Sequence, residues 1–309
     1  MEQIKTVKET KKIKKIKKKL HKQDMILDII IYSVVIIFCY LCIVPFLVVL
    51  SASFTDELAL VQNGYRLWPS KFSTEAYKIV FSTDKMFNAY KVTIFTTVVG
   101  TFISMVFTVA MAYPLSVKSL KYRGQISLFV YFTMLFGGGL VPSYLLVSKY
   151  LNMKNNIWVL IIPTMLSAWN MFMLRNFFNS IPPDLAESAK IDGANDVTIL
   201  LKIILPISVP GIATIGLFYG LGYWNAWFNA MLYISKSELY PLQYLIMNIL
   251  RNIQFMAEMA DKTGMSVGNL PSNSLKMATT VLTIGPMIFV YPFIQKYFTS
   301  GMMVGAIKG

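Results

Sequence analysis

One histidine and two cysteines are all that 309 residues offer for metal or thiol chemistry. His21 belongs to a lysine-rich stretch. Cys39 and Cys42 would share a helical face at i, i+3, but their surroundings, IIFCYLCIVPF, are apolar throughout. A redox or zinc site needs an accessible, polar setting and further ligands, so the pair reads as two small residues facing lipid or a neighbouring helix. Charge is scarce too: 14% of residues are charged, against about 25% in a soluble domain. Inside the apolar stretches ionisable groups are scarce, among them Asp28 at the start of the first and Arg175 near the end of the fourth. Paired carboxylates at depth are missing, as is any nucleophile beside a base. The glycines at 137–139 lack the lysine and preceding strand of a phosphate-binding loop. These absences argue against an enzyme, and against a lone channel or proton-coupled carrier working through intramembrane charges. If the chain moves a solute uphill, another subunit supplies the energy.

What is abundant is apolar surface. Hydrophobic residues make up 55% of the chain and mean hydropathy is +0.56, more than a globular interior of this length could hide from water. Six stretches suit membrane helices: 25–51, 88–115, 125–147, 157–178, 203–228 and 275–298. The third is interrupted by Gly137, Gly138, Gly139 and Pro142. Irregular backbone at membrane depth must be satisfied by protein or a watery cavity, so this helix is expected to be bent and packed inside the bundle.

The formal charge of +14 is concentrated at one end: residues 1–22 carry ten lysines and two glutamates, supplying +8 of it. A lysine run directly before an apolar span holds that end in the cytoplasm and can touch anionic lipid headgroups. It is not read as a nucleic-acid footprint, because no soluble domain accompanies it; a salt-dependent DNA shift would revive that reading. The apolar stretch that follows is too long for a signal h-region and has no small-residue cleavage site, so it is expected to be a retained anchor. The chain thus divides into a basic cytoplasmic tail, 1–24, and a six-helix domain, 25–309. Lys118, Lys121 and Arg123 mark the second connection as cytoplasmic too. Counting spans then puts residues 184–202 and the C-terminus inside, with 52–87 and 229–274 outside. In the outer segment YPLQYLIMNILRNIQ, Leu242, Leu245, Ile246, Ile249, Leu250 and Ile253 recur at helical spacing. This predicts an amphipathic helix that lies on the outer face or re-enters the bundle, open to lipid or to a partner outside. A loop is expected after it, over 261–274.

Polar and aromatic groups at depth are the remaining pathway candidates. Trp169 and Asn170 lie in the fourth span; Tyr223, Trp224, Asn225, Trp227 and Asn229 lie towards the outer end of the fifth. Tryptophan near an interface is ordinarily a belt residue, and asparagine in hydrocarbon can serve as helix–helix glue. Two Trp-Asn pairs facing a common interior would instead offer aromatic faces and amides to a sugar-like solute.

The polar segment 182–206 interrupts this pattern. Pro182 and Pro183 end what precedes it, and Pro183 suits a first helical turn. Asp184 and Glu187 favour the N-terminus of a short helix. Gly193 is a left-handed stop, Asp196 can cap a second helix, and Pro206 and Pro210 bend its entry to the fifth span. The small face of Ala186, Ala189 and Gly193 would let another protein approach closely, with Glu187 and Asp192 shaping the turn. An ordinary inter-span loop is the plainer alternative.

Glu187, Ser188, Ala189 and Gly193, followed by Ile203, Leu205 and Pro206, resemble the EAA signature of binding-protein-dependent ABC importer permeases, with Ser188 where alanine is usual. The stretches AKIDGA, YFTSGMMVGAIKG, FGGGLVPSYLL and YPLQ are similar to the carbohydrate (maltose-type) branch, in particular to oligosaccharide permeases of Gram-positive bacteria. The resemblance implies an all-α, multi-pass cell-membrane protein of six transmembrane helices with the type I ABC importer permease fold. It implies that Ala186, Glu187, Ser188, Ala189, Asp192, Gly193, Leu205 and Pro206 form a coupling helix seated on a cytoplasmic ATPase. The implied partners are a second homologous permease, two ATPase subunits and an extracellular lipid-anchored solute-binding protein delivering an oligosaccharide. ATP and Mg would be used by the ATPases, and no cofactor would be bound by this chain. A permease of the same architecture for another organic solute, such as peptides, is the alternative.

Overall fold

The computed structural model describes residues 2–82, 84–263 and 272–306. Every regular element among them is a helix, and the sole bridge between extended residues joins Thr55 to Phe72. The chain forms two compact units, Met1–Ala76 with Pro271–Ala278, and Tyr77–Leu270 with Thr279–Gly309.

The first unit contains α1 (Glu2–Ser53) and α2 (Glu57–Asn63). α1 is one helix through the basic tail and the first apolar stretch, and from Leu27 onward it is long and apolar enough to cross a membrane. Its side chains over 27–43 are exposed, Phe38 by 68%, and its last turn, Ser51 to Ser53, is buried. Beyond it the backbone turns, Phe54 stacks on Phe72 with ring centroids 5.7 Å apart, and Asp56 caps α2 by accepting from the Ala59 N–H. Glu57, in the first turn of α2, accepts hydrogen bonds from the backbone N–H groups of Asn273 and Ser274, the Asn273 amide and the Ser274 hydroxyl, all at 2.8–3.1 Å. One carboxylate thus satisfies two otherwise orphaned backbone donors at the start of the helix that begins at Ser272.

The remaining helices are α3 (Glu75–Phe81), α4 (Lys85–Ser116), α5 (Arg123–Leu135), α6 (Leu140–Leu145), α7 (Ala168–Asn179), α8 (Asp184–Ile191), α9 (Asp196–Ile199), α10 (Leu205–Ile207), α11 (Val209–Trp224), α12 (Phe228–Tyr233), α13 (Leu242–Thr263) and α14 (Ser272–Ala306). α4 is the centre of the second unit, with α7, α11 and α13 packed along it. It buries Thr93, Thr96, Gly100, Ser104 and Thr108 on one face, a row of small and hydroxyl residues three or four apart. In lipid, where apolar contact alone drives little association, such residues let backbones approach and supply interhelical hydrogen bonds. Ser104 meets the Tyr223 hydroxyl at 2.9 Å and Thr108 meets the Tyr219 hydroxyl at 2.7 Å.

α4 is a second helix long and apolar enough to span on its own, and three bent helix pairs are each long and apolar enough to do so together. Up to five spans are therefore found among the described residues; the sixth expected stretch, 275–298, runs along α14. The third span bends by 106° between α5 and the helix beginning at Leu140, as the glycines predict. Among the described residues nothing packs over its break: Phe136 is 62% exposed, and Gly137 and Gly138 have open space where a Cβ would point. The glycines bring no side chain to bury, and no element of the unit covers them.

The fourth span bends by 52° between Ile157–Thr164 and α7, where the Ser167 hydroxyl caps α7 by accepting from the Asn170 N–H. The fifth bends by 83° at Ser208, between Asp196–Ile207 and α11, and the latter ends at Trp224 rather than running to 228. α13 is helical as its periodicity predicts. Its first turns bury Leu242, Leu245 and Ile246 and the Leu242 N–H donates to Thr93 Oγ1 at 2.8 Å, so that end is packed on the protein rather than open to lipid. Of the loop expected over 261–274, residues 264–271 lie outside the described residues, and the flanking positions are helical.

Candidate functional site

Two features stand at opposite ends of the fifth span: a cavity beside α11 and an elbow formed by α8 and α9. The cavity has a volume of about 420 Å3 and is lined by Thr164, Ser167, Asn170, Phe218, Tyr219, Gly222, Tyr223, Asn225, Ala226, Trp227, Phe228 and Asn229. That is within the range of small-molecule sites, whose walls are mostly apolar with a few placed polar groups.

Asn170 and Asn225 line the same space. Asn170 is 7% exposed, and its side-chain amide makes no hydrogen bond among the described residues, which leaves it to the cavity. Asn225 is the cap residue after α11; its amide donates to the Leu221 carbonyl at 2.9 Å and accepts from Gln243 Nε2 at 3.2 Å. The tryptophans before them do not converge. Trp169 is 62% exposed, whereas Trp224 is buried and donates Nε1–H to the Thr283 carbonyl at 3.2 Å. One step of sequence turns a helical side chain by about 100°, so neighbours such as Trp169 and Asn170 cannot share a face. Tyr223 does line the cavity, although its hydroxyl is held at Ser104 and the Ile161 carbonyl. Trp227 supplies an aromatic wall.

Tyr219, Ser167 and Thr164 were not singled out by the sequence reading. The Tyr219 hydroxyl accepts from the Ser167 N–H at 3.0 Å and pairs with Thr108, tying the bend of the fourth span to α4 and α11. Its signal was present: Tyr219 and Tyr223 stand four apart, on one helix face.

At the other end, Pro183 opens α8 and Gly193 stops it. Gly193 has φ of +83°, a backbone setting that costs an L-residue about 1–2 kcal/mol. Its N–H donates to the Lys190 carbonyl at 3.0 Å and the Ala194 N–H to the Ala189 carbonyl at 2.9 Å, the paired bonds of a Schellman stop. The cap of α9 is Asn195, which accepts from the Thr198 N–H at 2.8 Å, rather than Asp196. Asp196 instead pairs with Lys190 across the turn at 2.9 Å. That hydrogen bond, together with the carboxylate's charge, raises the Lys190 pKa above its ordinary value.

The small face of α8 turns inward: Ala186 and Ala189 pack against the core cluster that contains Tyr113, Phe178 and Ile204. Outward stand Leu185, Ser188, Asp192 and Ile191, the last 87% exposed. Glu187 is exposed and borders a second cavity, of about 410 Å3, together with Lys190, Asp196 and Lys118. Leu205 and Pro206 lie in α10, just before the bend at Ser208. No cluster of His, Cys, Asp or Glu able to hold a metal occurs among the described residues.

A capped elbow thus leads into a bent span, and a largely apolar cavity with a few polar groups lies at that span's far end. Residues 89–304 match the family model described as the binding-protein-dependent transport system inner membrane component, and the chain belongs to this family. It is therefore a transporter permease component and not an enzyme. It is 42% identical to the polygalacturonan/rhamnogalacturonan transport system permease protein YtcP of Bacillus subtilis, over 93% of this chain and 100% of that one. It is 40% identical to LplC of the same organism, over 86% and 90%. Among solved structures, a bacterial ABC transporter that imports the acidic polysaccharide alginate contains a chain with TM-score 0.77 and 30% identity, the match covering 89% of this chain and 98% of that one. At that level of identity the chain has the type I ABC importer permease fold.

Proposed function

We propose that this chain is the membrane-spanning subunit of an ATP-driven importer that takes up oligosaccharides, with the elbow at Gly193 passing ATPase movement to the cavity beside α11. The observation that carries this reading is the fifth span itself. It begins in the elbow at Asp196, bends by 83° at Ser208 and ends at Trp224 beside the cavity. A push on one end of that element reaches the other through α10 and α11. Asn170 and Asn225 give the cavity free or shared amides, and Trp227 and Phe228 give it aromatic walls, suited to the hydroxyls and C–H faces of a sugar ring. A relative named for polygalacturonan/rhamnogalacturonan transport supports the carbohydrate class over peptides.

In this reading the six spans leave both termini cytoplasmic, and the basic tail 1–24 precedes a permease domain, 25–309, in the cell membrane of a Gram-positive bacterium. Two cytoplasmic ATPase subunits bind ATP and Mg; one of them receives segment 182–206 through the outward residues Leu185, Ser188, Asp192 and Ile191. The inward Ala186 and Ala189 hold the elbow against this chain. A second, homologous permease covers the open backbone of 136–139, which cannot face lipid uncovered. A lipid-anchored binding protein delivers the solute from outside. Mass spectrometry of ligand retained by that binding protein tests the substrate class: an oligosaccharide is expected, and a bound peptide would overturn it.

A further inference from the structure

Arg123, in the first turn of α5, and Arg175, on α7, reach the same acceptor. Arg123 Nε–H donates to the Leu115 carbonyl at 2.8 Å, and Arg175 Nε–H donates to that same oxygen at 2.9 Å. A carbonyl oxygen has two lone pairs, so both bonds can form together. The shared acceptor holds two guanidinium forks side by side at the ends of three spans.

This arrangement leaves charge unmet. The last turn of α4 contributes about half a negative charge, against two full positive ones. Neither arginine is in an ion pair among the described residues, and the first turn of α5 contains no acid. Arg175 also lies over the Phe172 ring, with Cζ 5.8 Å from its centroid. Each Nε is used and the terminal N–H groups of both forks make no bond within the described chain. Capping one carbonyl needs a single donor; guanidinium forks with unused terminal N–H groups match the oxygens of a carboxylate or phosphate.

We infer that Arg123 and Arg175 bind a phosphate group at the membrane surface, and that its source is a glycerophospholipid. The lipid follows from what stands beside the pair. From Arg123, α5 runs into the membrane with Leu128, Phe129 and Phe132 exposed by 68%, 70% and 53%, a surface for acyl chains. Gly124 has open space where a Cβ would point, leaving room for a headgroup beside the forks. Lys118 and Lys121 stand five and two residues before Arg123 on the same connection. The inference does not depend on which solute is carried.

The test is native mass spectrometry of the full chain, purified with the subunits it assembles with and titrated with dioleoylphosphatidylglycerol, dioleoylglycerol or inorganic phosphate. The wild-type complex should bind phosphatidylglycerol about tenfold or more tightly than the Arg123→Gln, Arg175→Gln double variant, and dioleoylglycerol should bind neither. Should the double variant not assemble, Arg123→Gln alone leaves Arg175 on the Leu115 carbonyl and should still weaken the lipid several-fold, whereas Arg123→Lys should recover only part of it. Equal lipid binding by wild type and variants, or dioleoylglycerol binding as tight as phosphatidylglycerol, overturns the inference. Displacement of the lipid by inorganic phosphate overturns the lipid as source and assigns the forks to free phosphate.

Discussion

The ring of Tyr223 lies across Gly100, so near that a Cβ on Gly100 would meet Tyr223 Cζ at 2.8 Å, and its hydroxyl stands 2.9 Å from Ser104 one turn along α4. The contact joins α4 to α11 and gives Tyr223 two tasks, packing against α4 and lining the cavity. Gly100→Ala should therefore cost about 1–3 kcal/mol, the usual range for overpacking. Tyr223→Phe, which leaves the Ser104 hydroxyl without this partner, should cost about 0.5–1.5 kcal/mol. Thermal unfolding in nanodiscs should rank Gly100→Ala below Tyr223→Phe and both below wild type. An unchanged midpoint for Gly100→Ala would refute the close approach.

Glu57 should act as a latch on the start of α14. Glu57→Ala removes the acceptor for two backbone N–H groups and two side chains, and a lost helix cap costs about 1–2 kcal/mol. Hydrogen exchange should quicken at the amides of Asn273 and Ser274 while those of α4 keep their protection.

The two tryptophan–asparagine pairs should separate by function. Asn170→Ala removes an amide from the cavity and should reduce uptake at limiting solute by about tenfold, the effect of losing one good polar contact in a site built around it. Trp169→Phe, changing an exposed ring, should leave uptake unchanged. Equal losses from both would mean that the cavity is not the pathway.

The Lys190–Asp196 pair has a predictable response to pH. Because the Lys190 pKa is raised by its partner, the stabilisation is fully present below the ordinary lysine pKa and is lost only as pH rises through the higher folded value. Between pH 6 and 9 the elbow should be indifferent to this lysine. Asp196→Asn should return the Lys190 pKa towards its ordinary value, measurable by reductive methylation and NMR of the labelled amine.

The helices, the elbow and two of the bends were legible in the sequence because each has a local cause: an apolar run, Gly193 at positive φ, three glycines, or Pro206 and Pro210. Their packing was less so. Ala186 and Ala189 read as an outward face because their smallness is visible in sequence, whereas the side they occupy is set by Tyr113 and Phe178, far away along the chain. Trp169 and Trp224 looked alike beside asparagines, yet they lie on separate helices in different phase to the cavity. Asn195 displaced Asp196 as cap because an amide oxygen one residue earlier reaches the Thr198 N–H, which frees Asp196 for Lys190. The bend at Ser167 had only Pro163 to announce it, and the Glu57 latch joins positions more than two hundred residues apart.

The central claim is that the elbow transmits ATPase movement to the fifth span, and Gly193→Pro tests it most directly. Proline fixes φ near −65° and has no N–H, whereas Gly193 requires φ of +83° and donates to the Lys190 carbonyl. Reconstituted with its permease partner, ATPases and binding protein, the variant should insert and assemble and should still hydrolyse ATP. Its solute accumulated per ATP consumed should fall by at least about tenfold. Wild-type uptake per ATP from Gly193→Pro would contradict the account.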